Sequence, residues 1–154
     1  MTDLEAGKKV LFSGTPCQVA VMKKRASDND RLLLVEVVCH GAPEPRYWDM
    51  YLDALCRKLK RKRSEIKNIN FRDKITGWKG YSITIHFADG TAFTQRSSKN
   101  LYMRAFLKDY TLRKPCFKCP FKYPDGSRAD ITLGDFWGID KVAPDIDNNQ
   151  GTTI

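Results

Sequence analysis

Two aliphatic runs, "KKVLF" at residues 8–12 and "RLLLVEVV" at residues 31–38, stand on either side of "SGTPCQVAVMKKRAS". The first run is short, rich in β-formers, and stops at the turn sequence "SGTP". "CQVAVMKKRAS" then predicts a short helix with a basic end. Strands joined by such a crossover pair in parallel, and the crossover is right-handed in nearly all cases. The second run is apolar enough to be buried on both faces, as parallel strands are. Both strands therefore end at one edge of a sheet, and that carboxyl edge is where open α/β sheets bind ligands.

Downstream, "PRYWDMYLDALCRKLKRKR" places Trp48, Tyr51, Leu52, Leu55 and Leu59 at spacings of three and four, which predicts an amphipathic helix. "IKNINFRDK" leads to "YSITIHFADGTAFTQRS", whose alternation around Asp89-Gly90 predicts an antiparallel hairpin. "NLYMRAFLKDYTLR" predicts a further helix with Tyr102, Phe106, Leu107 and Tyr110 along one stripe. "ADITLGDFWGI" reads as a strand ending in a turn rich in glycine and aromatics, and "DNNQGTTI" as a turn leading into another strand. The fold class read from this order is α/β: a mixed sheet with a parallel βαβα start, an antiparallel hairpin and flanking helices. Its 154 residues suit a single domain, 1–154, with one buried core.

With 42% hydrophobic and 29% charged residues, the composition is that of a soluble globular protein. No apolar run approaches the roughly 20 residues that span a bilayer, and "MTDLEAGKK" lacks the apolar centre of a signal peptide. The expected location is cytoplasmic. The 27 basic and 18 acidic residues leave a formal charge of +9, which favours an anionic partner: nucleic acid, an acidic protein or a phosphorylated cofactor.

Five cysteines, an odd number without an export signal, point to thiolate chemistry rather than a disulfide framework. Cys17 follows the first strand and Cys39 ends the second, so the fold rule puts both at the carboxyl edge. Gly14 frees the turn, Pro16 suits the first turn of a helix, and the exposed amides there would attract an anion or stabilise the Cys17 thiolate. In "RKPCFKCPF", Cys116 and Cys119 form a C-x2-C pair whose flanking Pro115 and Pro120 stiffen it against collapse into a helix. Cys17, Cys39, Cys116 and Cys119 thus make a four-thiolate set for a metal or iron-sulfur site. Taken singly, Cys17 and Cys39 also read as small buried residues near strand ends. Cys56, four residues after Leu52 on the amphipathic helix, reads as a packing residue. His40 could replace one thiolate, whereas His86 alternates within a strand and reads as an ordinary sheet residue.

"LFSGTPCQVA", "VCHGAPEPRYWDMYL", "INFRDKITGWKGYS", "LRKPCFKCPFK" and "SRADITLGDFWGI" occur in this order over residues 10–140. Together they resemble the C-terminal domain of the coenzyme F420 hydrogenase/dehydrogenase beta-subunit family. The resemblance implies an iron-sulfur flavoprotein oxidoreductase that carries a 4Fe-4S cluster and FAD. Its electrons pass between low-potential iron-sulfur carriers and a small-molecule redox substrate, which is coenzyme F420 in the namesakes and other molecules in their relatives. Fuller members carry an N-terminal ferredoxin-type segment and a further N-terminal domain, so this chain reads as a fragment of a longer one. The implied partners are a ferredoxin-like electron carrier or that N-terminal segment.

Further residues stand out by their chemistry and their places in the predicted elements. Ser13, Gly14, Thr15, His40 and Gly41 sit at the carboxyl edge, where backbone amides could receive phosphate, although the turn is not a G-x-G-x-x-G signature. Arg72 and Lys74 could grip pyrophosphate or an acidic substrate, and Trp78 could stack on a flavin; a salt-bridged surface turn is the alternative. Asp135 could bond a ribose or ring nitrogen, or simply form a turn. Trp137, Phe117 and Phe121 could exclude water from the thiolates or be ordinary core aromatics. The run Arg57, Lys58, Lys60, Arg61, Lys62 and Arg63 complements a helix end, and could dock an acidic carrier. Two other functions compete: a zinc-stabilised structural or interaction module, since zinc is commonly held by four cysteines, and a basic nucleic-acid-binding domain.

Overall fold

The aliphatic run after Lys9 forms β1 (Val10–Gly14), and Pro16 opens α2 (Pro16–Ala26) at a position where its missing N–H costs nothing. A short helix α1 (Thr2–Glu5) precedes them. The computed structural model describes residues 1–26, 29–122, 129–147 and 150–154. Ser27 at the expected end of α2, Ser127 and Arg128 of the fifth resembling block, and the Asn148-Asn149 turn lie outside the described residues. The chain divides into two compact units: residues 1–40, 118–144 and 152–154, and residues 41–117 and 145–151.

In the first unit, β2 (Leu32–Val37) pairs with β1 in parallel, with Ser13 beside Val35 and Gly14 beside Glu36. A third strand, β6 (Ile131–Leu133), joins the other side of β2, also in parallel, giving the order β1-β2-β6. The Asp130 carboxylate accepts the Leu34 N–H at 2.7 Å and fixes the start of that pairing. On the face carrying Leu34 that residue is buried and Val10, Phe12 and Leu32 are half-buried. The opposite face buries Val35 but leaves Leu11, Leu33, Val37, Ile131 and Leu133 at 62%, 40%, 45%, 44% and 38% exposure, so β2 is not covered on both sides. The expected last strand is three residues long, and Asp135 then makes an isolated antiparallel bridge to Thr153.

The second unit is built on an antiparallel sheet, β3 (Ile66–Asp73), β4 (Ser82–Phe87) and β5 (Ala92–Arg96), with β4 central. Asp89-Gly90 turns the β4–β5 hairpin, as the alternation predicts, and Gly90 adopts the positive φ that the turn requires. Helix α3 (Pro45–Leu59) lays Leu52 and Leu55 against Ile85 and Phe87, each of these side chains stabilising the fold by about 1.5–3 kcal/mol. Cys56, 6% exposed, is the packing residue its spacing predicts. The other face of β4 buries Ser82 and Thr84, whose hydroxyls bond Thr76 and Thr94 at 2.9 and 3.1 Å. The parallel start and the antiparallel hairpin of the α/β reading are both present, distributed over two three-stranded sheets rather than joined in one.

Helix α4 (Leu101–Leu107) stops short of its predicted stripe. The chain leaves it through Asp109 at φ 65°, so Tyr110 is 73% exposed while Tyr102 and Met103 are buried. Its N-cap, Asn100, is fully buried: the amide oxygen accepts the Met103 N–H at 3.1 Å, and the amide nitrogen donates to Tyr51 Oη at 2.6 Å and Gln95 Oε1 at 3.1 Å. One side chain thus joins two helices and a strand. Asn100→Ala removes a cap and leaves buried partners unpaired, so urea unfolding should show a loss of about 2–3 kcal/mol.

The hairpin turn carries its own electrostatic latch. Asp89 accepts from the Thr91 hydroxyl and N–H, and Arg61 Nη1 approaches it at 2.6 Å. These bonds lower its pKa to about 2. Its folded value lies below the unfolded one, so its stabilisation is present above the ordinary carboxylate range and is lost as pH falls towards 2. In an NMR titration, Thr91→Val should move the Asp89 midpoint upward, because the largest cause of the shift is removed.

Candidate functional site

The parallel register brings the ends of β1, β2 and β6 to one edge. At the end of β1, Thr15 caps α2. Its N–H donates to Gln18 Oε1 at 2.9 Å, half of a capping box, and its hydroxyl lies 3.0 Å from the same oxygen. The turn amide expected to receive phosphate at Thr15 therefore has an internal acceptor. Cys17 follows in the first helical turn, exposed, with its Sγ 3.3 Å from Thr15 Oγ1. It lines an open depression of about 490 Å³ with Phe12, Gln18, Val21, Met22 and Arg25.

A second cavity at this edge, about 390 Å³, is lined by Pro16, Glu36, Val38, Cys39, Phe121, Lys122 and Thr132. Cys39 contributes directly to it, Pro16 immediately precedes Cys17, and Phe121 follows Cys119 by two residues. Lys122 Nζ donates to the His40 carbonyl at 2.6 Å, holding the segment after Cys119 to the end of β2. Phe121 is the aromatic that faces this cavity; Trp137 and Phe117 are 52% and 59% exposed. Asp135 and its neighbours line a further recess of about 310 Å³ with Val37, Val38, Leu133, Gly134 and Thr153.

In the other unit, Cys116 lies within a single helical turn, α5 (Lys114–Phe117), so the prolines do not exclude helix from the C-x2-C segment. Pro115 occupies the start of that turn, where proline is tolerated. Cys116 Sγ accepts the Ala42 N–H at 3.4 Å. Gly41 has φ 142°, and a Cβ there would meet Leu112 Cδ2 at 2.9 Å and Cys116 Cβ at 3.5 Å. The conformation favours glycine at this position, and a Cβ would also displace the end of the Leu112 side chain.

Arg72, Lys74 and Trp78 also belong to this unit. The Arg72 guanidinium lies over Tyr81 and Trp78, 4.7 and 6.0 Å from the ring centroids. Trp78 is 2% exposed, and a Cβ on Gly151 would overlap its indole. Lys74 Nζ donates to the Gln150 carbonyl at 2.9 Å, and Lys79 pairs with Asp147 at 2.7 Å. These side chains tie Asp147 and Gln150 to the loop after β3. In the basic run, Arg61 bonds Asp89, and Arg63 pairs with Asp49 at 2.6 Å and Asp53 at 3.3 Å.

Cys17, Cys39 and Cys119 therefore belong to the first unit and Cys116 to the second; Ser13, Gly14, Thr15, His40 and Asp135 divide from Gly41, Arg72, Lys74 and Trp78 in the same way. No two of the five cysteines are joined by a disulfide. Four of them are accessible in whole or part, so in number and chemistry they fit an iron-sulfur cluster or zinc. Among the described residues, no three His, Cys, Asp or Glu side chains stand close enough together to hold a metal ion. The two charged residues of the 390 Å³ cavity, Glu36 and Lys122, are not marked by any motif in the sequence. The signal for Glu36 was there: it is the one charge inside "LLLVEV".

Burial and reactivity separate the thiols. Burial raises the pKa of Cys56, against the opposing pull of Arg63. Brief treatment of the native, metal-free chain with iodoacetamide at pH 8 should label exposed Cys17 most and Cys56 least, read by mass spectrometry of the peptides.

No curated protein matches the chain. Residues 7–154 match the family described as the C terminus of the beta subunit of coenzyme F420 hydrogenase/dehydrogenase. That match takes in both units, the carboxyl-edge turns and every cysteine. No helix among the described residues is long and apolar enough to cross a membrane. By this match the chain belongs to the coenzyme F420 hydrogenase/dehydrogenase beta-subunit family, as a C-terminal domain.

Proposed function

We propose that this domain is the part of an iron-sulfur flavoprotein oxidoreductase in which Cys17, Cys39, Cys116 and Cys119 are the ligands of a 4Fe-4S cluster. The observation that carries this reading is the 390 Å³ cavity at the carboxyl edge, with Cys39 in its wall. Three more of its lining residues, Pro16, Phe121 and Lys122, are close sequence neighbours of Cys17 or Cys119. A bound cluster supplies one-electron transfer, and FAD couples single electrons to the two-electron reduction or oxidation of coenzyme F420 or another small acceptor.

The chain's own contribution is binding and shielding. Val38, Phe121 and Pro16 give the cavity apolar walls, and the Lys122 contact with the His40 carbonyl holds the segment bearing Cys119. Ala42 N–H donates to Cys116 Sγ, the kind of bond that holds a thiolate ligand and tunes its basicity. Cys56 stays in the helical core. No side chain acts as a nucleophile in this scheme.

The flavin half of the proposal rests on family membership. Thr15 N–H, Arg72, Lys74 and Trp78 have intramolecular roles, and no step through the flavin is assigned to them. A ferredoxin-like carrier is the proposed electron partner. In support of an acidic surface on that partner, 17 of the chain's 27 basic residues but only 9 of its 18 acidic ones lie in the second unit, which therefore carries +8 of the net +9.

Anaerobic reconstitution of the full chain with ferrous iron and sulfide tests the cluster. About four iron and four acid-labile sulfide per chain should bind, with a paramagnetic signal on reduction. Cys119→Ala should lose most of both, and Cys56→Ala should retain them. Tight zinc without sulfide would overturn the proposal in favour of a structural metal module.

A further inference from the structure

At the amino ends of β1 and β2, the opposite edge of the parallel sheet from Cys17 and Cys39, the strand register sets two cations side by side. Val10 pairs with Leu32, and the Val10 N–H donates to the Arg31 carbonyl at 2.8 Å, so Lys9 stands next to Arg31. Like charges at neighbouring strand positions repel, and neither side chain has an ion pair among the described residues. Arg31 is nonetheless held in place. Its N–H donates to Asn29 Oδ1 at 3.0 Å, and its guanidinium runs so close to Gly7 that a Cβ there would meet Nη1 at 3.1 Å.

Both cations line an open cavity of about 830 Å³, a size typical of small-molecule sites. Its apolar lining is aliphatic: Val10, Leu11, Leu32, Leu33 and Leu34. Leu11 and Leu33, themselves neighbours in the register, are 62% and 40% exposed. Lys23 of α2 adds a third positive charge. Of the two carboxylates in the wall, Asp130 is committed to the Leu34 N–H at 2.7 Å, and Asp30 is exposed; the lining keeps a positive balance.

We propose that this cavity binds an aliphatic carboxylate, with its head group between Arg31 and Lys9 and its chain on the valine and leucines. The guanidinium fork matches a carboxylate through two parallel hydrogen bonds, and the ammonium adds a second charge to it. Binding relieves the repulsion between the two cations and removes water from Leu11 and Leu33, so head and chain both contribute. A ring system fits less well, because among the described residues no aromatic side chain lines the cavity to stack on it. No cysteine lines it either, so the site is independent of the iron-sulfur reading.

Octanoate titrated into the isotopically labelled full chain, followed by amide NMR shifts, tests the site. Saturable shifts of the Arg31, Leu32 and Leu33 amides are expected. Octan-1-ol, which lacks the charge, and acetate, which lacks the chain, should each bind about tenfold more weakly. Combining Lys9→Gln with Arg31→Gln should weaken octanoate by about tenfold, whereas Lys24→Gln, exposed on α2 outside the cavity, should leave it unchanged. Equal affinity for octanoate and octan-1-ol overturns the proposal, and that comparison needs only the wild type should the double variant not fold. Shifts centred on Val37, Ile131 and Leu133 also overturn it, since they mark adsorption to the open sheet face. So does binding to phosphatidylglycerol vesicles without binding of free octanoate, which marks a membrane surface instead.

Discussion

The parallel pairing of β1 with β2 is the constraint on which the candidate site depends. Because Val10 sits beside Leu32 and Gly14 beside Glu36, both strands run out at the same edge. One slip of the register would turn every side chain of β2 to the opposite face. Glu36 would leave its cavity, and Leu34 would exchange its buried face for the open one. The Asp130 carboxylate at the Leu34 N–H holds this alignment where β6 joins. A polar contact 96 residues distant in sequence thereby fixes where a thiol and a carboxylate emerge.

Much of the fold was legible because the signals were local. The apolar period of Leu52, Leu55 and Cys56 defines α3, Asp89-Gly90 defines the hairpin, and the two aliphatic runs around a basic helix define the crossover. What remained hidden was non-local. The sequence does not say that the hairpin strands and the crossover strands build two sheets, since either set can extend the other. Nor does apolar spacing foresee that Asp109 breaks α4 and releases Tyr110, because a left-handed residue carries no hydrophobic signal. At the candidate site, fold rules brought Cys17 and Cys39 to a common edge. The buried Glu36 oxygen emerged only when strand register put it next to Thr132.

Several side chains combine chemical promise with structural duty. Arg72, Lys74 and Trp78 have the character of a phosphate and ring clamp, yet they stack on Tyr81, bond the Gln150 carbonyl and pack beneath Gly151. Residue type alone cannot distinguish a guanidinium held for a ligand from one held for an aromatic neighbour. Gly41 shows the converse: its φ of 142° and its closeness to Leu112 identify a backbone requirement that composition could not reveal.

The open face of the parallel sheet, where Leu11, Leu33, Val37, Ile131 and Leu133 remain accessible, has a consequence for the behaviour of this chain in salt. At low ionic strength the charge of +9 keeps molecules apart. As salt shortens the screening length to about 8 Å, that repulsion fades while the attraction between apolar faces persists. Added salt therefore drives this chain towards self-association, and purification at low ionic strength is the gentler course.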